Sequence, residues 1–77
     1  METVYVLVKL QPGVVEDIKK QIEKIQGVVE VSAVTGPYDL IVKIEGDYIT
    51  DVLSVVVRDL RKLSGITSTE TLVAVKM

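Results

Sequence analysis

Twice in this chain a helical apolar pattern runs out through a glycine into a strand: at Ile25-Gln26-Gly27-Val28 and again at Leu63-Ser64-Gly65-Ile66. Glycine just past the last periodic residue is a helix stop, so each site marks a helix-to-strand exit. Before the first exit, Val14 or Val15, Ile18, Ile22 and Ile25 recur at helical spacing, with Glu16, Lys19, Lys20, Glu23 and Lys24 on the other sides. Before the second, Ile49, Val52, Leu53, Val56, Leu60 and Leu63 define another helix, with Asp47 as its candidate N-cap. A strand leads into each helix: Thr3 to Leu10, broken by Pro12-Gly13, and Leu40 to Glu45, broken by Gly46-Asp47. A strand also leaves each: Val28 to Thr35 and Ile66 to Lys76. The order is βαββαβ. Right-handed crossovers fold both halves alike, which gives an α+β, ferredoxin-like sandwich of four antiparallel strands with two helices on one face. The echo is shared geometry; its identity is too short to establish duplication.

The 77 residues amount to one domain spanning positions 1–77. A chain of this size hides only about 60% of its unfolded surface, yet 48% of it is apolar. That mismatch points to self-association. The strands say where. Val4, Val6, Val8 and Leu10 face the helices, as do Leu40, Val42 and Ile44. Tyr5, Leu7 and Ile41 then fall on the opposite face, joined by Val34 and Leu72 and diluted by Lys9, Glu30, Ser32 and Lys43. A sheet with one wet face alternates more cleanly. The patch of Tyr5, Leu7 and Ile41 is therefore read as the interface of a homodimer.

Several function classes are excluded or weakened. Histidine and cysteine are absent, which removes the usual general base, the thiol nucleophile and a disulfide framework. Ser32, Ser54, Ser64 and Ser68 have no evident activating partner, so no catalytic residues and no cofactor are assigned. Glu45, Asp47 and Asp51 have the oxygen chemistry of a metal site, but a cap, a first-turn acid and a solvated strand end explain them better, and no metal is assigned. A net charge of −2 argues against direct nucleic-acid binding. Arg58 and the Arg61-Lys62 pair, interleaved with Asp59, read as a solvated helix face. No apolar run approaches the roughly 20 residues of a membrane span, and no signal peptide precedes the first strand, so the expected location is cytoplasmic. The lack of asparagine and the wealth of Val, Ile, Lys and Glu fit a thermophilic source.

Two polar clusters remain. In Thr35-Gly36-Pro37-Tyr38-Asp39-Leu40, glycine and proline set a turn, Tyr38 offers a flat apolar body with a hydroxyl, and Asp39 a carboxylate for a cationic amino group. Taken alone the turn is punctuation, with Asp39 bonding its own turn amides and Tyr38 covering the hairpin. The second cluster, Thr67-Ser68-Thr69-Glu70-Thr71, suits an edge strand, but its hydroxyls and edge amides also suit a carboxylate. Together the clusters supply partners for both ends of a zwitterion, and two subunits could bring them together.

These residues in this order resemble the C-terminal effector (RAM) domain of the Lrp/AsnC feast/famine transcriptional regulators. The resemblance covers nearly the whole chain through Gly27-Val28, Gly36-Pro37-Tyr38-Asp39-Leu40 and Gly65-Ile66-Thr67-Ser68-Thr69-Glu70-Thr71. It implies sheet-mediated dimers that assemble into octamers or similar rings, with an amino acid effector bound between dimers. Carried over, the ligand-binding positions are Gly36, Tyr38 and Asp39, with Thr67, Ser68, Thr69 and Thr71. Regulators of this family carry an N-terminal helix-turn-helix domain. Here the first strand begins near Thr3, so the expectation is a stand-alone amino-acid-binding regulatory and oligomerisation module. Two alternatives are a purely structural module that co-assembles with full-length regulators, and a small ferredoxin-like dimeric enzyme. The enzyme reading ranks last, because the core faces are almost wholly apolar.

Overall fold

A computed structural model describes residues 1–77. Its elements are β1 (Glu2–Leu10), α1 (Val15–Glu23), β2 (Val28–Ala33), β3 (Leu40–Gly46), α2 (Ile49–Val55), which continues as a π-helical stretch over Val56–Leu60, and β4 (Ile66–Val73). The strands form one antiparallel sheet in the order β2-β3-β1-β4. This is the ferredoxin-like arrangement, with β1 and β3 central and β2 and β4 at the edges.

The alternation of β-branched and aliphatic residues in the central strands produces the core. Val4, Val6 and Val8 of β1 pair in register with Ile44, Val42 and Leu40 of β3. All six are fully buried under Ile18 and Ile22 of α1 and Val52, Val56 and Leu60 of the second helix, and Val31 of β2 completes the cluster. No polar side chain is buried among them. An antiparallel pair keeps directly opposed side chains on one face, so the intervening residues Tyr5, Leu7, Ile41 and Lys43 share the other face, with Leu72 opposite Tyr5.

Gly27 and Gly65 do what their positions require, with φ of 97° and 100°, the left-handed region that ends a helix. A Cβ on Gly65 would lie 3.3 Å from Val14. Each exit glycine is also tied to a central strand through its carbonyl: Glu45 N–H donates to Gly27 O and Gln11 N–H to Gly65 O, both 2.9 Å. Each is followed by a register shift. Val29 is the extra residue between the Val28–Ile44 and Glu30–Lys43 pairs, and Thr67 that between Ile66–Leu10 and Ser68–Lys9. The two halves thus share exit, tether and bulge.

Five local expectations are corrected. Asp47 does not cap the second helix. Tyr48 is the N-cap and makes no side-chain cap bond, because its carbonyl, not that of Asp47, accepts the first helical N–H, from Val52. Regular helix stops at Glu23 and at the π-helical stretch, leaving Ile25 and Leu63 in the exit turns, still packed against the core. The π-helical bond from Arg61 N–H to Val56 O is 3.0 Å. Val52, Val56 and Leu60 recur every four residues, slightly more than the 3.6-residue turn, and the widened turn keeps Leu60 under the sheet. Finally, β2 ends at Ala33 and β4 at Val73, short of Thr35 and Lys76. Single bonds continue the pairing, Val34 N–H to Asp39 O and Ala74 N–H to Thr3 O.

Candidate functional site

The Val34–Asp39 bond closes the β2–β3 hairpin, leaving Gly36 and Pro37 exposed at its tip. Asp39 is half-buried and held to β1 at two points: its N–H donates to Val8 O at 2.8 Å, and its Oδ2 accepts from Leu10 N–H at 2.8 Å. The register explains the second bond. β3 begins at Leu40, opposite Val8, so the Leu10 amide points past the end of its neighbour, and the Asp39 carboxylate takes it. Asp39 therefore does not bond amides of its own turn. It pins the end of β1, with one carboxylate oxygen committed and the other uncommitted.

Tyr38 does not simply cover its hairpin. Its hydroxyl donates to Glu70 Oε2 at 2.6 Å. Glu70 lies opposite Leu7, and Leu7 lies opposite Ile41, so the contact spans β1 on the open sheet face. It borders an apolar depression of about 350 Å³ lined by Leu7, Val34, Thr35, Pro37, Tyr38 and Ile41. The hydrogen bond to Glu70, followed by partial desolvation and the repulsion of that carboxylate, raises the Tyr38 pKa above its ordinary 10.0. Raised in the folded state, it contributes stability that is complete below pH 10.0 and lost as pH climbs through the folded value. The tyrosinate absorbance of Tyr38, isolated as the difference from Tyr38→Phe, is expected to titrate above pH 10.0 and to move down in Glu70→Gln. A Tyr38 that titrates at its ordinary value in the intact chain would exclude the clasp.

The Thr/Ser segment is divided by the pleat. Thr69 and Thr71 sit opposite Val8 and Val6, on the helix side of the sheet. Ser68 and Glu70 sit opposite Lys9 and Leu7, on the open side, and Thr67 is the bulged residue. Asp39 reaches β1 from the β3 side, whereas Ser68 and Thr69 reach it from the β4 side. Within one chain the clusters meet at the same end of β1, separated by that strand, about 10 Å at the usual spacing. The one direct link between them is Tyr38–Glu70. The sequence alone assigns Glu70 no role, because 32 residues separate it from Tyr38 and no local periodicity relates them.

Tyr5, Leu7 and Ile41 share the open face as expected. Glu45, Asp47 and Asp51 border an open depression beside Gly27, and no three His, Cys, Asp or Glu side chains converge as a metal site would. No helix is long and apolar enough to cross a membrane.

The chain is similar to several known proteins. It is 33% identical over 75 residues to an uncharacterised HTH-type transcriptional regulator of Pyrococcus furiosus, covering 94% of this chain and 50% of that protein. It thus spans about half the length of the curated relatives it matches. The crystal structure of TTHA0845 from Thermus thermophilus superposes with a TM-score of 0.93 at 32% identity, over 100% of this chain and 96% of that one. A transcriptional regulator of Neisseria meningitidis, solved as a complex with L-Met, shares the fold at 19% identity and a TM-score of 0.81, over 97% of this chain and 50% of that one. The family model for the Lrp/AsnC ligand binding domain matches residues 3–77, and with the βαββαβ frame, the exit glycines and the hairpin in place, the chain belongs to that family.

Proposed function

We propose that this chain is an amino-acid-binding regulatory and oligomerisation module that acts on transcription or metabolism. The observation that carries this reading is the convergence of Asp39 with Ser68 and Thr69 on the two sides of the same end of β1. An uncommitted carboxylate oxygen suits an ammonium group, and strand-edge hydroxyls and amides suit a carboxylate. The intervening strand keeps them apart within one chain, so the second half of each site comes from another subunit. Gly36, Tyr38, Thr67 and Thr71 border the two halves. The complex of the Neisseria regulator with L-Met supports an amino acid as the ligand class.

The assembly is a sheet-face dimer through Tyr5, Leu7 and Ile41, and dimers join into an octamer or similar ring. The protein works in the cytoplasm, binds no nucleic acid directly and carries out no catalysis. A panel of free amino acids in a thermal-shift assay tests it. Ligand at 100 times its dissociation constant adds about 2.7 kcal/mol, and a domain of this size gains about 4–8 °C per kcal/mol. No response to any amino acid at millimolar concentration would remove the reading.

The variant must respect the Leu10 bond. Asp39→Ala leaves a half-buried amide unpaired and costs about 1–3 kcal/mol whatever binds. Asp39→Asn keeps an acceptor oxygen and removes the charge. Its expected result is loss of the ligand-induced shift with an unliganded melting temperature close to that of the parent. A full shift in Asp39→Asn would take the carboxylate out of the site.

A second reading, a module that co-assembles with full-length Lrp/AsnC regulators with ligand incidental, is favoured by one observation: the apolar depression beside Leu7 and Ile41 lies open on the sheet face. Co-purification with a helix-turn-helix relative, unchanged by amino acids, would favour it over the first.

A further inference from the structure

The open face of the sheet carries both a hole and a knob. The hole is the apolar depression of about 350 Å³ that Leu7, Val34, Pro37, Tyr38 and Ile41 help to line. The knob is Leu72 on β4, which stands opposite Tyr5 and is 45% exposed. Directly opposed residues share a face, so the register places these features relative to one another. Leu72 and Tyr5 share a row with Lys43, Glu70 and Leu7 share the next with Ile41, and Lys9 lies one row further toward the hairpin. Lys43 and Leu7 are diagonal neighbours near the centre of the face.

A two-fold axis lying along that diagonal carries each position across it. Strands are about 4.8 Å apart and rows on one face about 7 Å apart. On that grid Leu72 of one copy falls on the depression of the other, Tyr5 falls beside Ile41, and Glu70 falls within a side chain's reach of Lys9. The same axis makes the strands of the two sheets cross steeply, close to the orthogonal form of face-to-face packing. The charges agree with this placement. Lys9 has no ion pair within its own chain, and Glu70 accepts from Tyr38 through one oxygen only. Lys43 meets its own copy near the axis, but each already lies 3.7 Å from Glu45. We infer that each copy seats its Leu72 in the depression of the other, and that Glu70–Lys9 pairs at the rim select a second copy of this chain as the partner. This fit rests on the open face being an interface between copies, and it assigns the residues that choose which copy binds.

Sedimentation velocity over a dilution series tests it, with circular dichroism to check the fold. Leu72→Ala is expected to weaken self-association about tenfold or more. Val57→Ala, at a residue 60% exposed on the second helix, leaves it unchanged. Lys9→Glu sets a like charge against each Glu70, and Glu70→Lys does the same to each Lys9, so either variant alone associates more weakly than the parent. Mixed together, the two variants bring opposite charges to both rims, and the mixed dimer forms at least about tenfold more tightly than either variant alone. A contact within one chain cannot produce that preference. Leu72→Ala associating as the parent does, or a mixture binding no better than its components, overturns the fit. If Leu7→Lys still disrupts association in that case, the open face stands as the interface without this fit. If Leu7→Lys also leaves the particle unchanged, or the parent stays monomeric at millimolar concentration, the interface falls together with the fit.

Discussion

Leu60→Ala is expected to destabilise the chain by about 2–5 kcal/mol. Leu60 is 0% exposed and belongs to the cluster that joins the second helix to β1 and β3. The cavity left by truncation has little means of closing, because Leu60 lies on the widened turn that fits the helix to the sheet and its neighbours Val52 and Val56 are themselves buried. Domains as a class have only about 5–15 kcal/mol in reserve, and a short chain sits toward the low end. The melting temperature should fall by about 4–8 °C for each kcal/mol, measured at fixed protein concentration because association shifts apparent stability. Leu63→Ala, in the exit turn and only partly buried, should cost less. A loss below about 1 kcal/mol at Leu60 would contradict the packing described for this helix.

Leu7→Lys is expected to break association while leaving the fold. Leu7 points away from the core between the buried Val6 and Val8, and it is flanked by Ile41 on one side and Glu70 on the other. A charge there costs about 1 kcal/mol at most in strand preference. At a sheet-to-sheet contact the same charge would lose its water, and pairing with Glu70 alone would not offset that desolvation. Loss of a central anchor costs at least about 2 kcal/mol, a weakening of about 30-fold in the dissociation constant. Sedimentation velocity should show a smaller particle with an unchanged circular dichroism spectrum. An unaltered particle mass would remove this face as the interface.

Much of the frame was legible from the residues. Gly27 and Gly65 marked the helix exits because a left-handed residue there is nearly always glycine. Ile18, Ile22, Val52, Val56 and Leu60 marked the buried helix faces because burial imposes a period. The strand alternation placed Tyr5, Leu7 and Ile41 together on the open side. What escaped was set by register. The partner of Asp39 is the Leu10 amide, 29 residues away, and it becomes available only because β3 begins opposite Val8. The pleat divides Ser68 from Thr69, which side by side in sequence had looked like one surface.

The end of β1 joins the two halves of the molecule. Leu10 gives its amide to Asp39 of the hairpin, and Gln11 gives its amide to Gly65 at the exit of the second helix. Two successive peptide groups thus hold the two candidate half-sites in one chain of hydrogen bonds. A load applied to the hairpin need travel only one residue along the backbone to reach the start of β4. That dipeptide is a pin shared by the hairpin and the start of β4.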